Sequence, residues 1–303
     1  MQLITEAQVA QTLSQDPAAA LAALRAAFMQ LGRGQAAVLA RGRAGALHEG
    51  ATLMISAMGA VLADSGVMGT KVYSTRNGQF QFVITLFDTA TGAPLATLEA
   101  NELTRVRTSL STALAVDALA APDAKVLAIF GAGTQAQAHA QAIRPLRGFE
   151  RVLVCARNGA AAAEFAARIG AEVVDAATAA REAEVIVTAT RASEPLFDGA
   201  LVRPGALVAA VGSSKPAARE LDDLLLARAA SVVVEWLPAA QAEAGELVRA
   251  APGVLAPERL KELGGLLLAP PARDPQAITV YKSVGIGLED VALAQLVYRS
   301  LRA

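Results

Sequence analysis

The chain has 303 residues, enough for two domains and a large core, and its 27 basic and 28 acidic side chains leave a formal net charge of −1. That balance excludes the basic footprint of a nucleic-acid binder, and no block of like charges suggests a solvating tail. One cysteine, Cys155, and two histidines, His48 and His139, exclude a disulfide framework and a thiolate or histidine metal site.

Met1 to Ala10 lacks the basic-then-apolar order of a signal peptide, and no apolar stretch of spanning length is free of Arg, Asp or Glu. A cytoplasmic protein with no membrane partner is expected. Met1 to Ile4 reads as a short strand, and Thr5-Glu-Ala-Gln8 as a capping box. Asp16-Pro17 opens a second helix with a stripe of Leu21, Leu24, Ala27, Phe28 and Leu31, ended by Gly32 and Gly34. Strand-length runs follow at Val38 to Arg43, Thr52 to Met58, Gly69 to Ser74, Gln79 to Asp88 and Pro94 to Ala100, with a hairpin connection at Asp88 to Gly92. No helices separate them, so they predict an antiparallel or mixed sheet. Asn101 to Leu119 reads as one helix capped by Asn101.

The pattern then alternates. Strands are expected at Lys125–Phe130, Val152–Ala156, Glu172–Val174, Val185–Ala189, Leu207–Val211 and Ser231–Val234, with helices between most of them. This is an α/β fold with a doubly wound parallel sheet of Rossmann type, beside a mixed α+β domain. Ala239 to Leu263 looks helical, Ala269 to Pro275 is a proline-rich connector, and Leu288 to Leu301 is a final amphipathic helix. The expected domains are 1–120 with 280–303 and, between them, 121–279.

The strongest local signal is Val126 to Phe130 followed by Gly131-Ala-Gly-Thr-Gln-Ala136, with a helix expected from Thr134 to Arg147. Gly131 permits a sharp turn, Gly133 lets a pyrophosphate approach the backbone, and Ala136 lets helix and strand pack closely. The helix N-terminus offers N–H groups and a positive dipole to phosphate. The next strand ends Val154-Cys-Ala-Arg-Asn158, with no acid for a ribose 2′-hydroxyl, and Arg157 suits a 2′-phosphate. NADP(H) is therefore favoured, with NAD(H) possible.

In the first region Lys71 lies on an apolar strand, and Arg105 and Arg107 sit near a helix start, where a cation opposes the macrodipole. An anionic substrate is one reason for such placement. Arg41 and Arg43 border another strand and read otherwise as solvated surface. His139 reads as a packing histidine, His48 as a surface-loop residue, Trp236 as core or pocket wall, and Cys155 as an inert buried thiol.

The residues Met68-Gly-Thr-Lys71, Leu86-Phe-Asp88, Thr91-Gly-Ala-Pro94 and Leu103-Thr-Arg-Val-Arg-Thr108 recur in a known pattern. So do Gly131 to Ala136, Val185 to Thr190, Ala210-Val-Gly-Ser-Ser-Lys-Pro216, Arg219-Glu-Leu-Asp-Asp223 and Tyr281-Lys-Ser-Val-Gly285. Over nearly its whole length the chain resembles the ornithine cyclodeaminase/mu-crystallin family. The resemblance implies a homodimer that acts on small α-amino or α-imino acids with a nicotinamide cofactor. It carries the carboxylate-binding cations onto Lys71 and Arg107, which are also the catalytic candidates. The third cation falls on Arg41, with Arg43 as rival, and Ser214 joins the substrate set. Cofactor contacts are implied at Thr108, Gly131, Ala132, Gly133, Thr134, Gln135, Ala136, Arg157, Asn158, Thr188, Ala189, Thr190, Val211 and Gly212.

Two departures bear on the reaction. The cyclodeaminase branch carries Asp where this chain has Ser214, and Glu where it has Ser56, two residues before Met58. Serine is a poor proton manager without a partner base. The ketimine-reductase branch fits better, so reduction of a cyclic or linear α-imino acid is expected, reversibly an amino-acid dehydrogenation. The alternatives are an ammonia-releasing ornithine cyclodeaminase and a non-catalytic nucleotide-binding protein.

Overall fold

The structure is a computed structural model that describes residues 1–302. It divides into two compact units, Met1–Ser111 with the chain from Gly285 onward, and Thr112–Val284.

In the first unit, β1 (Gln2–Ile4), α1 (Glu6–Gln15) and α2 (Pro17–Gly32) follow as the capping signals predict. Thr5 and Gln8 form the capping box, and the Asp16 carboxylate accepts from Ala19 N–H at 2.8 Å. Then come β2 (Ala36–His48), β3 (Ala51–Leu62), β4 (Val67–Arg76), β5 (Gln79–Asp88) and β6 (Pro94–Glu99). They form a mixed sheet of order β1-β6-β5-β4-β3-β2, in which β1 pairs parallel to β6 and the other pairs are antiparallel. One face buries Met58, Ala60, Leu62, Ile84, Leu86 and Leu98 and is packed by the chain's last helix. The opposite face leaves Leu39, Ile55, Val61, Val72 and Val83 between 38% and 55% exposed.

The helix α3 spans Asn101–Leu119 as expected, but Asn101 does not cap it. Its side-chain oxygen accepts from Phe82 N–H instead. The Glu6 carboxylate takes the free N–H groups of Asn101 and Glu102 at 3.1 and 2.5 Å. An acid there satisfies orphan donors and complements the helix dipole.

The second unit alternates strand and helix. Its elements are β7 (Val126–Phe130), α4 (Thr134–Ile143), β8 (Arg151–Cys155), α5 (Gly159–Ile169), β9 (Glu172–Val173), α6 (Ala176–Glu182), β10 (Val185–Thr188), β11 (Leu207–Ala210), α7 (Asp223–Arg228) and β12 (Ser231–Val234). Next are α8 (Leu237–Glu243), α9 (Gly245–Val248), β13 (Leu260–Glu262), α10 (Leu263–Leu268) and β14 (Thr279–Lys282), before the last helix, α11 (Gly287–Ser300), returns to the first unit. The eight strands are all parallel, in the order β13-β12-β14-β11-β10-β7-β8-β9. The Val, Ile, Leu and Ala runs of the inner strands β7, β8, β10, β11, β12 and β14 are buried on both faces, as a parallel sheet requires, while the edge strands β9 and β13 are partly exposed.

Two expectations are corrected. Residues 239–263 are not one helix: Pro252, Gly253 and Pro257 interrupt it, leaving α8, α9 and the strand β13. The helix expected from Thr134 to Arg147 ends at Ile143 and tightens into a 3₁₀ turn at Pro145. The short run Ile278 to Tyr281 supplies β14, which pairs with both β11 and β12 in the interior of the sheet.

Candidate functional site

Each unit carries one cluster of polar residues that its fold positions. In the first unit the cluster stands on the packed face of the mixed sheet. A bulge in β2 shifts the pairing between Leu39 and Gly42, so Ala40 and Arg41 together face Met58. The extra residue re-aims the strand and turns Arg41 inward. Its Nε donates toward Met58 Sδ at 3.3 Å and its Nη2 donates to Gly285 O at 2.8 Å. Arg43, just beyond the bulge, is exposed.

Lys71 is opposite Met58 on β4 and is fully buried, its Nζ donating to Asp290 Oδ1 at 2.8 Å. Its ammonium also lies 5.2 Å from the Phe82 ring centre, a cation–π contact. Arg107, in the second turn of α3, donates from Nη1 to Glu289 Oε2 at 2.7 Å, and its Nε is 3.3 Å from Asp290 Oδ1. Gly285 has φ of +73°, and a Cβ there would overlap the Arg107 guanidinium. Arg105 is elsewhere, paired with Glu102 on the surface of α3.

Arg41, Lys71 and Arg107 stand with the two carboxylates of Glu289 and Asp290 on this face, and guanidinium and ammonium donors gathered in this way are the kind that hold a carboxylate. Burial, then Arg107, pulls the Lys71 pKa from 10.5 to about 7, against the opposite pull of Asp290. Asp290 Oδ2 is buried without a hydrogen-bond partner. Glu289 and Asp290 escaped the sequence reading, although two acids inside Leu288-Glu-Asp-Val-Ala-Leu293 are a legible anomaly. Ser56, on the same face, is 2% exposed and its Oγ has no partner.

In the second unit the candidate nucleotide residues collect at the carboxyl ends of β7, β8, β10 and β11. Gly131 has φ of +111°, and a Cβ there would lie 2.6 Å from Ala189 O. Only glycine fits, because the turn is left-handed and touches the next loop. Gly133 is exposed, and a Cβ there would meet nothing within 4 Å. No side chain caps α4, whereas Asn158 and Asp175 cap α5 and α6. Open backbone at an uncapped helix start fits a pyrophosphate. Ala136 is fully buried against the sheet, while Ala132 and Gln135 are half-buried and Thr134 is exposed. Arg157 is exposed beyond β8, next to the cap residue Asn158.

The Thr188 side chain is fully buried and its Oγ1 donates to Glu220 Oε2 at 2.7 Å. Ala189, Thr190, Val211 and Gly212 are half-buried around the same carboxylate, and Ser214 follows in the loop after β11. Thr108, on α3 in the first unit, donates from Oγ1 to Thr104 O at 2.7 Å. His139 is buried, accepts from Thr112 Oγ1 at 3.0 Å, and donates from Nδ1 to Gln135 O at 2.7 Å. Burial lowers its pKa to about 4, which keeps it neutral and structural. Cys155 is half-buried, and burial raises its pKa. Among the described residues no acid, histidine or cysteine cluster suits a metal, and no helix is long and apolar enough to cross a membrane.

Residues 2–303 match the model of the ornithine cyclodeaminase/mu-crystallin family. The chain belongs to that family. It is 36% identical to the ketimine reductase mu-crystallin of Mus musculus over 226 residues, 73% of this chain and 69% of that one. Its fold superposes on a Bordetella pertussis Tohama I structure described as a "probable ornithine cyclodeaminase", with 45% identity, TM-score 0.91, and 99% and 97% of the two chains covered. It also superposes on the Δ1-pyrroline-2-carboxylate reductase of Thermococcus litoralis in complex with NADH and L-proline, with 28% identity, TM-score 0.89, and 100% and 98% covered. A protein of this family with this nucleotide-binding fold is a nicotinamide-dependent oxidoreductase.

Proposed function

We propose that the substrate is a small cyclic or linear α-imino acid, that NADPH is preferred to NADH, and that the reaction runs in reverse as an amino-acid dehydrogenation. The observation that carries this reading is the cluster of part-buried Arg41 with buried Lys71 and Arg107 on one face of the mixed sheet. A guanidinium holds a carboxylate with two parallel hydrogen bonds, and the ammonium adds a compact charge. The cations fix the substrate's carboxylate and with it the plane of the adjacent C=N bond. The reduced nicotinamide supplies the hydride that forms the new C–H bond at the imine carbon. Lys71, with a pKa of about 7, holds a proton that it can pass to the substrate nitrogen as that carbon is reduced.

Ser56 and Ser214 support reduction rather than cyclodeamination. Removing a proton-handling group costs such a reaction roughly 10²–10⁴ in rate, and a protonated imine asks less of the protein. Arg157 supports NADPH, and the exposed apolar face of the mixed sheet supports a homodimer. The similarity to the Bordetella protein favours ornithine cyclodeamination as the second reading.

The deciding assay runs ornithine with NAD beside Δ1-pyrroline- and Δ1-piperideine-2-carboxylate and an acyclic α-imino acid with NADPH. Imine reduction should be the faster reaction. Faster ammonia release from ornithine would overturn the proposal.

A further inference from the structure

The carboxylate of Glu220 is fully buried and lies between two loops of the second unit. Its Oε1 accepts from Thr190 N–H at 2.9 Å and from Thr190 Oγ1 at 2.6 Å. Its Oε2 accepts from Thr188 Oγ1 at 2.7 Å and from Gly212 N–H at 2.8 Å. These donors come from the end of β10, the loop after it, and the loop after β11. A Cβ on Gly212 would collide with the same carboxylate.

A second buried pair stands behind it. Glu246 Oε1 accepts from Glu220 N–H at 2.8 Å, and its Oε2 is 3.0 Å from Lys282 Nζ, with neither side chain exposed. Lys282 Nζ donates to Ser213 O at 2.9 Å. Glu220, Glu246 and Lys282 therefore tie the ends of β10, β11 and β14 together through hydrogen bonds and one buried ion pair. Removing one partner of such a buried set leaves a charge unmatched, so each link is held strongly to its place.

The position of this chain along the sheet gives it meaning. The glycine turn follows β7 and Arg157 follows β8, so the pyrophosphate and the adenosine half belong to that side. The nicotinamide half then extends toward β10 and β11, where no phosphate charge fixes it. We infer that Glu220 is a positioning residue that sets the two backbone loops against the nicotinamide half of the dinucleotide. This rests on the cofactor site proposed above. Glu220 touches no ligand itself; it acts through Thr190 and Gly212.

Glu220→Gln makes the test specific. A side-chain amide turns an N–H₂ toward a donor, either Gly212 N–H or Thr190 N–H, and one contact must break. Binding of NADH and NADPH, and of ADP-ribose and its 2′-phosphate form, is measured for wild type and variant. The two fragments carry the adenosine half and the pyrophosphate but no nicotinamide. The variant should bind the fragments within twofold of wild type and the intact dinucleotides at least tenfold more weakly. Thr188→Val removes one buried donor with little change of shape and should show a smaller loss of the same selectivity, whether or not Glu220→Gln folds. An equal loss for fragments and dinucleotides, or no loss in either variant, would overturn the inference. Wild-type protein that binds neither fragments nor dinucleotides would instead overturn the cofactor site.

Discussion

Lys71 Nζ lies 2.8 Å from Asp290 Oδ1, and neither side chain is more than 1% exposed. The buried ammonium has a pKa of about 7 against 10.5 in the open chain. The folded protein thus binds fewer protons than the unfolded chain between about pH 7 and 10.5. Its stability should rise with pH through that window, the penalty being greatest at and below pH 7. A substrate carboxylate favours the ammonium and works in the opposite direction. Imino-acid binding at pH 8 should therefore take up a proton, and the KM should climb as the pH rises above 7. Calorimetry in buffers of different ionisation heat measures the uptake. Lys71→Met should abolish it; binding without uptake in the wild type would refute the proposed role.

Arg107 has to be tested with a charge-preserving change. Alanine would leave Glu289 buried without the 2.7 Å contact from Arg107 Nη1 and should cost about 3–5 kcal/mol of stability. Arg107→Lys keeps the charge and loses the planar fork. We expect the KM for the imino acid to rise about tenfold or more, as loss of a charge-assisted bond of about 1.5–3 kcal/mol implies. NADPH affinity should stay within about twofold. Titration of the cofactor beside steady-state kinetics separates the two, and an unchanged KM would remove Arg107 from the carboxylate site.

Arg157 stands exposed beyond β8, and the strand end from Val154 to Asn158 carries no acid to meet a ribose hydroxyl. Arg157→Ala should weaken NADPH binding by about 1.5–3 kcal/mol and leave NADH nearly unchanged. Fluorescence titration of both cofactors is sufficient. Equal affinities in the wild type would show that the side chain does not discriminate.

The outward face of the mixed sheet carries Ile55, Val61, Val72 and Val83 without helical cover from its own unit. Such a patch marks an association surface. Sedimentation at micromolar concentration should give a dimer for the wild type and a monomer for Ile55→Lys combined with Val72→Glu. A monomeric wild type would disprove the assignment.

The strands and the glycine turn were legible because each rests on local chemistry, whereas local chemistry left Lys71, Arg41, Arg43, Arg105 and Arg107 all open and only the family resemblance singled out Lys71 and Arg107. Alternation of side chains marks β3 to β5, and a glycine pair between strand and helix marks the turn before α4. Arg41 against Arg43 was not legible, since a bulge decides which of them turns inward, and a bulge depends on the partner strand. The acids that neutralise the cations were missed because their partners are far away in sequence: Lys71 and Asp290 are 219 positions apart. Glu220 lies within Arg219-Glu-Leu-Asp-Asp223, and its bonds to Thr188, Thr190 and Gly212 exist only once β10 and β11 are side by side. In residues 239–263 the alanine-rich composition favours helix, but Pro252, Gly253 and Pro257 divide the span into separate short elements.

The placement of β14 has a consequence for synthesis on the ribosome. β11 and β12 do not pair with each other; both pair with Thr279–Lys282. Until those residues emerge, the parallel sheet exists as two pieces with open apolar edges, and α11, which packs on the other sheet, comes later still. Neither unit is completed while most of the chain is being made. A nascent chain of this kind folds late, exposes strand edges meanwhile, and depends on its last few dozen residues for both cores. Chains released before Thr279 should aggregate rather than fold as an independent nucleotide-binding fragment.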